Sequence, residues 1–332
     1  MDSFDGHRLL FSIFVFAAIG MQPNVPGADG LPVSLVRVRR EVDSNNCNDS
    51  NANIRKIIDS KSDINAKGGF CNRTCLIDAA QNGCIKEIEL LMSHNADINV
   101  KDSEEDTALM WAVGRGETAT FKLLIEKGAD LNITDSDGWS ALIWAVNAIE
   151  RDMVKLLIEK KADLNLRDNK FGWTALIWAV STDKWQTDMY KLLLEKGADP
   201  NVKDFQGYTA LMWAIRKGET DHAKYLIEKG ADLNVSDKDG QTALMWAVNE
   251  GETDKIKLLI EKGADLNARD NDGWSALIWA VYKGETDTVK LLIDKGADLN
   301  VRDNNGSTAL KMAKFDGNLK ITELLIEKGA SE

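Results

Sequence analysis

The chain has 332 residues, 44% of them hydrophobic, which is enough apolar surface to build a core and excludes a generally disordered polymer. Its formal net charge of −12 repels phosphate backbones, so nucleic acid is not an expected partner. With three histidines, a histidine-based metal or catalytic site has little to draw on.

The first element is apolar. Leu9 to Gly20, LLFSIFVFAAIG, is broken only by Ser12. As a helix it would rise about 18 Å, too short to span a bilayer, and it has the length of a signal-peptide core. Small residues end it, so cleavage is expected at Gly20, with 1–20 as signal peptide; an interfacial or disordered tail is the other reading. Arg37-Val38-Arg39-Arg40 resembles the cleavage site of furin-type convertases, with Arg40 as the processing residue. Residues 21–40 would then be a propeptide or linker, and Pro23, Pro26 and Pro32 with Gly27 and Gly30 keep that segment unfolded.

From here the sequence is periodic. Triplets of the form [TS]-A-L open at Thr107, Ser140, Thr174, Thr209, Thr242, Ser275 and Thr308, in steps of 33, 34, 35, 33, 33 and 33 residues. Thr74-Cys75-Leu76 extends the series backwards by another 33, and GWSALIWAV occurs unchanged at 138–146 and 273–281. Each unit predicts a short helix after the triplet, then an exit at a glycine such as Gly116, Gly218, Gly251 or Gly284. A second helix follows, as in ETDKIKLLIEKG at 252–263, with acids at its start and lysine at its end as the helix dipole favours. ADLNARDNDG then predicts a turn and a two-stranded finger. Six units carry a tryptophan at one position, Trp111, Trp144, Trp178, Trp213, Trp246 and Trp279, which predicts a ladder packed along the first helices.

The motif Thr242-Ala243-Leu244-Met245-Trp246-Ala247, the helix end Leu258-Leu259-Ile260-Glu261-Lys262-Gly263-Ala264 and Asp265-Leu266-Asn267 together resemble the ankyrin repeat. The resemblance implies an all-α solenoid of helix–turn–helix units with β-hairpin fingers. It divides the chain into a degenerate N-terminal cap at 41–68, seven repeats at 69–302 and a C-terminal capping repeat at 303–332. Lys311 and Lys314 stand where other units carry Met or Ile and Val, as suits a last unit with one side in water. Two departures matter. Ala replaces the family's Pro, and Met or Ile replaces its His, so the inter-repeat hydrogen bonds of that His are expected to be missing.

The resemblance also implies where a partner binds. In the family, the position before the triplet lines the concave face together with the finger tips and the first-helix ends. Here that position reads Asp106, Trp139, Trp173, Tyr208, Gln241, Trp274 and Ser307. The pattern breaks near the middle. Lys170-Phe171 lengthens one finger, 181–188 lengthens one helix–helix turn and adds Trp185, and Ile149 replaces an exit glycine. The binding site is expected between 139 and 208, carried by exposed aromatics: Trp139, Phe171, Trp173, Trp185, Phe205 and Tyr208, with Trp274 beyond.

All four cysteines, Cys47, Cys71, Cys75 and Cys84, fall near the N-terminus. Laid onto the repeat, they suggest Cys47–Cys84 and Cys71–Cys75 pairs, with a metal site as the less favoured alternative for want of a CxxC pair or a nearby His. Five N-x-[ST] sequons exist. Asn132 and Asn234 occupy the D-x-N position and are expected to bond the turn backbone, whereas Asn48, Asn72 and Asn305 are expected glycan acceptors. No nucleophile–base pair or phosphate loop appears. The expectation is therefore a secreted, non-enzymatic, protein-binding monomer with no catalytic residue, cofactor, metal or membrane span. An intracellular adaptor and a secreted toxin- or effector-like factor are the alternatives.

Overall fold

The structure is a computed structural model that describes residues 54–68, 73–181 and 188–332. The chain divides between Asn46 and Cys47 into two units, and every described residue belongs to the second. After a helical stretch at 54–59, sixteen further helices follow in eight pairs. The pairs begin with α1 (Cys75–Gln81) and α2 (Ile85–Ser93), then α3 (Ala108–Arg115) and α4 (Thr118–Glu126). Next come α5 (Ala141–Asn147) and α6 (Arg151–Glu159), α7 (Ala175–Ser181) and α8 (Met189–Glu195), and α9 (Ala210–Arg216) and α10 (Thr220–Glu228). The last three pairs are α11 (Ala243–Asn249) with α12 (Thr253–Glu261), α13 (Ala276–Lys283) with α14 (Thr286–Asp294), and α15 (Ala309–Phe315) with α16 (Leu319–Glu327).

The repeated triplet is a helix start. Its Thr or Ser has extended backbone, and its hydroxyl accepts the N–H three residues on, as Thr174 does from Ile177 at 3.2 Å. The cap satisfies a donor the helix leaves orphaned. The next two residues, Ala and Leu, are buried in every unit from Ala108-Leu109 onward. Second helices bury one stripe, such as Ile256 and Leu259 in α12. Each first helix packs on its own second helix and on the first helix of the next unit, so one core runs through the stack.

First helices end in the left-handed conformation, at Gly116 (φ 71°) and Gly284 (φ 74°). Ile149 takes the same conformation at φ 65° without being glycine. The fingers are tighter than the two strands expected. Where they pair, they do so by isolated bridges, such as Thr134 with Ser140 and Ser236 with Thr242.

Three ladders tie one unit to the next. In the fingers, backbone N–H groups of Ser136, Asn169, Phe205, Lys238, Asn271 and Asn304 donate to the carbonyls of Glu104, Asp137, Phe171, Gln206, Asp239 and Asp272. In the D-x-N turns, the Asn side chain reaches forward rather than inward. Asn132 Oδ1 accepts the Asp163 N–H at 2.8 Å, and Asn234 Oδ1 accepts the Asp265 N–H at 2.9 Å. The same bond recurs from Asn65 to Asn300, so these side chains are structural in a sense the turn alone did not suggest. The third ladder is basic. Lys101 donates to the Thr134 carbonyl, Arg167 to Lys203, Lys203 to Ser236 and Arg269 to Arg302, each at 2.7–3.0 Å.

Candidate functional site

The face of interest lies where the first helices meet the fingers. Its floor is built from the residue that opens each finger, an aspartate buried in seven units: Asp102, Asp135, Asp168, Asp204, Asp237, Asp270 and Asp303. One carboxylate oxygen accepts the finger's own backbone N–H groups, those of Asp137 and Trp139 at Asp135 for example. In six units the other oxygen accepts the indole N–H of the ladder tryptophan. The distance is 3.1 Å for Trp111 to Asp102, 2.9 Å for Trp144 to Asp135, and 2.8 Å for Trp246 to Asp237 and Trp279 to Asp270. A polar network therefore stands where the loss of the family's histidine predicted none. The one-residue insertion at Lys170-Phe171 is absorbed here too, because Asp168 Oδ1 takes three consecutive N–H groups, those of Lys170, Phe171 and Gly172.

Burial dominates the titration of these acids. Asp135 is pushed up to about 6 by desolvation, against the opposing hydrogen bonds from Trp139, Trp144 and Asp137. Asp204, Asp237 and Asp270 are raised for the same first reason.

Above the floor runs a chain of rings in edge-to-face contact. Trp139 lies 5.6 Å from Trp144 and 4.9 Å from Trp178; Trp173 lies 4.9 Å from both Trp178 and Trp213. Tyr208 continues it, 5.7 Å from Trp213 and 5.3 Å from Trp246. Such contacts contribute roughly 0.5–1.5 kcal/mol each beyond area burial. They also consume the surface on which a partner was expected. Trp139 and Trp173 are 4% exposed, and Trp274, closed in by Trp279 and Tyr282, is 6% exposed. The expectation of three solvent-facing tryptophans is corrected: Trp139 and Trp173 fill the gaps between ladder rings, Trp274 packs between Trp279 and Tyr282, and all three belong to the core.

Other expected residues stay accessible. Phe205 is 38% exposed at a finger tip, with the Arg167 guanidinium 5.2 Å from its ring. Phe171 and Tyr208 are half-buried, and Phe171 stacks on Trp173 at 5.0 Å. Burial pushes the Tyr208 hydroxyl up to about 12, so it remains a donor at neutral pH. Trp185 lies outside the described residues.

Sequence reasoning missed Arg216, at the end of α9. Its guanidinium stands 5.4 Å from the Trp213 ring and 5.7 Å from the Trp246 ring. It also missed Tyr282, 39% exposed on α13. Both sit three residues after a ladder tryptophan, one helical turn along the same face. Reading that column across the units would have found them.

Cys84 is disulfide-bonded, and Cys75 carries a free thiol that burial pushes up. The expected Cys71–Cys75 pair is therefore not made. A disulfide between residues four apart would also have to bridge the start of α1, where Thr74 already caps the helix. Cys47, Cys71, Asn48, Asn72, Gly20 and Arg40 lie outside the described residues. Among the described residues, no group of three or more His, Cys, Asp or Glu could hold a metal ion, and no helix is long and apolar enough to cross a membrane.

Paired helices stacked unit on unit, with capped starts and hydrogen-bonded fingers, define a helical-repeat solenoid. The family model for ankyrin repeats matches residues 44–135, 115–204, 191–270 and 267–332, and the chain belongs to the ankyrin-repeat family. No curated protein gives a significant match to the chain. Ankyrin arrays are generally non-enzymatic scaffolds for protein–protein contact, and membership of the family points to a protein-binding role for the chain.

Proposed function

We propose that this chain is a secreted scaffold that binds another protein through the face formed by its fingers and first-helix ends, the concave face in this family. One observation carries the binding reading. Between near-identical Ala-Leu-Met/Ile-Trp-Ala-Val cores, the residue three past the ladder tryptophan differs from unit to unit: Asn147, Ser181, Arg216, Asn249 and Tyr282 in five successive repeats. A position that only had to pack would repeat as its neighbours do. Asn147 and Ser181 are buried, but Arg216 and Asn249 are half-buried and Tyr282 is exposed, so over the later units this varying column faces a partner and fits recognition instead.

Secretion is supported by the apolar run ending at Gly20, the basic site ending at Arg40 and the bonded Cys84, since disulfides persist in oxidising compartments. The sequons divide in the same sense. Asn305 is exposed at the last finger tip and free to take a glycan; Asn48 and Asn72, the other two expected acceptors, lie outside the described residues. The side chains of Asn132 and Asn234 are committed to the next unit.

Expression in eukaryotic cells tests both halves. The chain is expected in the medium, shortened at Gly20 or Arg40, with glycosidase-sensitive mass that falls by one glycan in Asn305→Gln. Full-length unglycosylated chain retained in the cytosol would favour the adaptor. Cross-links to captured partners should map to Lys170, Lys217, Lys238 or Lys283; cross-links confined to Lys257 and Lys290 on the second helices would overturn the choice of face.

A further inference from the structure

Arg216 differs from Arg73, Arg167, Arg269 and Arg302 on this side of the array. Arg167, Arg269 and Arg302 each spend their guanidinium on carbonyls of the fingers or of the C-terminal residue. Arg73 is held by Asp102 and Gln81 while it stacks on Trp111 at 4.0 Å. Arg216 stacks on two indoles and, among the described residues, has neither a hydrogen bond nor an ion pair. Its stem is fixed at the end of α9, and its ring partners are themselves fixed, because Trp213 and Trp246 each donate to a buried aspartate. The result is a planar five-donor fork, half-buried and oriented, with its donors unspent. Tyr208 adds a protonated hydroxyl and an aromatic edge beside it, and Trp246 leaves part of its ring accessible.

Building on the protein-binding reading, we infer that Arg216 is the anchor for a single carboxylate of the partner: an isolated Asp or Glu side chain next to an aromatic or aliphatic residue, in an extended peptide segment. The carboxylate lies in the plane of the guanidinium, which the indole stacks leave open at its edge, and takes two parallel N–H bonds. The apolar neighbour rests on Tyr208 and the open part of Trp246. The chain's net charge of −12 is consistent with this partner and not with a polyanion. Repulsion between whole molecules is screened beyond roughly 8 Å at physiological salt, whereas a nucleic acid would bring a continuous line of charge against the acidic array. One isolated carboxylate meets the fork at contact distance, while Asp204, Asp237 and Asp239 around Tyr208 oppose any further acid.

The test is selection of a displayed library of random peptides on the immobilised full chain, followed by binding of enriched peptides to Arg216→Met and Arg216→Lys. Met keeps an apolar stem over the indoles and removes the charge; Lys keeps the charge and removes the fork. Enriched peptides are expected to carry Asp or Glu beside an aromatic or aliphatic residue. They should lose about tenfold or more in affinity on both variants, the size of a lost charge-assisted pair. Melting temperature is measured alongside; should Arg216→Met melt early, Arg216→Lys decides. Peptides without an enriched acid, or peptides indifferent to both variants, overturn the carboxylate anchor and leave the binding face standing. Binding of an oligo-dT probe that depends on Arg216 overturns it in favour of a phosphate. A library that yields no binder overturns the protein-binding reading as well.

Discussion

A buried carboxylate that receives two backbone N–H bonds and an indole N–H organises its surroundings more than any apolar residue of the same size could. It fixes the finger, the ladder ring and the ring's plane together. Trp178 donates to Asp168 at 2.9 Å, and Trp173, in the same unit, donates across the repeat boundary to Asp204 at 3.2 Å. Both rings are 4% exposed. Truncating either to alanine opens a cavity and strips a donor from a buried acid, at about 3–5 kcal/mol for the cavity alone. Trp173→Ala and Trp178→Ala are therefore expected to lower stability by similar amounts in urea denaturation. A Trp173→Ala protein as stable as the wild type would return the finger aromatics to the surface.

Within each unit, the helix–helix exit is where the repeat tolerates least variation in backbone. Ile149 holds φ 65° between α5 and α6, where other units place glycine, and a β-branched side chain in that region costs roughly 1–2 kcal/mol. The side chain is 38% exposed and recovers only part of that cost by burial. Ile149→Gly is expected to raise the denaturation midpoint, with a gain of about 1 kcal/mol and an unchanged slope. A lower midpoint would mean that Ile149 contributes contacts larger than its backbone strain.

Over the whole array the buried acids add up. Asp135, Asp204, Asp237 and Asp270 are raised above the ordinary carboxylate value, so the folded chain binds protons that the unfolded chain has not yet taken up. Their stabilisation is fully present below about pH 4 and is lost as pH rises through about 6, the value for Asp135. His222 opposes them. It is buried 4.2 Å from Tyr190, and burial lowers its value, so its contribution is present above about 6.5 and is lost as pH falls. The preceding units carry Met153 and Met189 at that position. His222→Met is expected to melt at higher temperature at pH 5 than at pH 7, by roughly 2–4 °C per kcal/mol gained, and more steeply than wild type. A melting temperature that falls with acid in His222→Met would show that the three N–H bonds outweigh desolvation at these sites.

Period, helix starts, helix exits and the ladder tryptophans were legible in the sequence, because each follows from local rules repeated every 33 to 35 residues: a Thr or Ser cap, a glycine exit, an apolar stripe. The repeat itself then fixed the fold, since no unit can bury its stripe alone. What depended on neighbours was not legible. Trp139 and Trp173 look like surface residues by position, and only the adjacent units' rings, 4.9 Å away, bury them. Asn132 looks like a turn residue, and only the next unit shows which N–H it holds. Cys75 looks pairable by proximity to Cys71, yet its thiol is free. Arg216 looks like any solvent-facing helix-end cation, until Trp213 and Trp246 from two units close on it. Sequence spacing sets the backbone register of each unit, but exposure is a property of the gap between units, and that gap closes only when the side chains on both sides are in place.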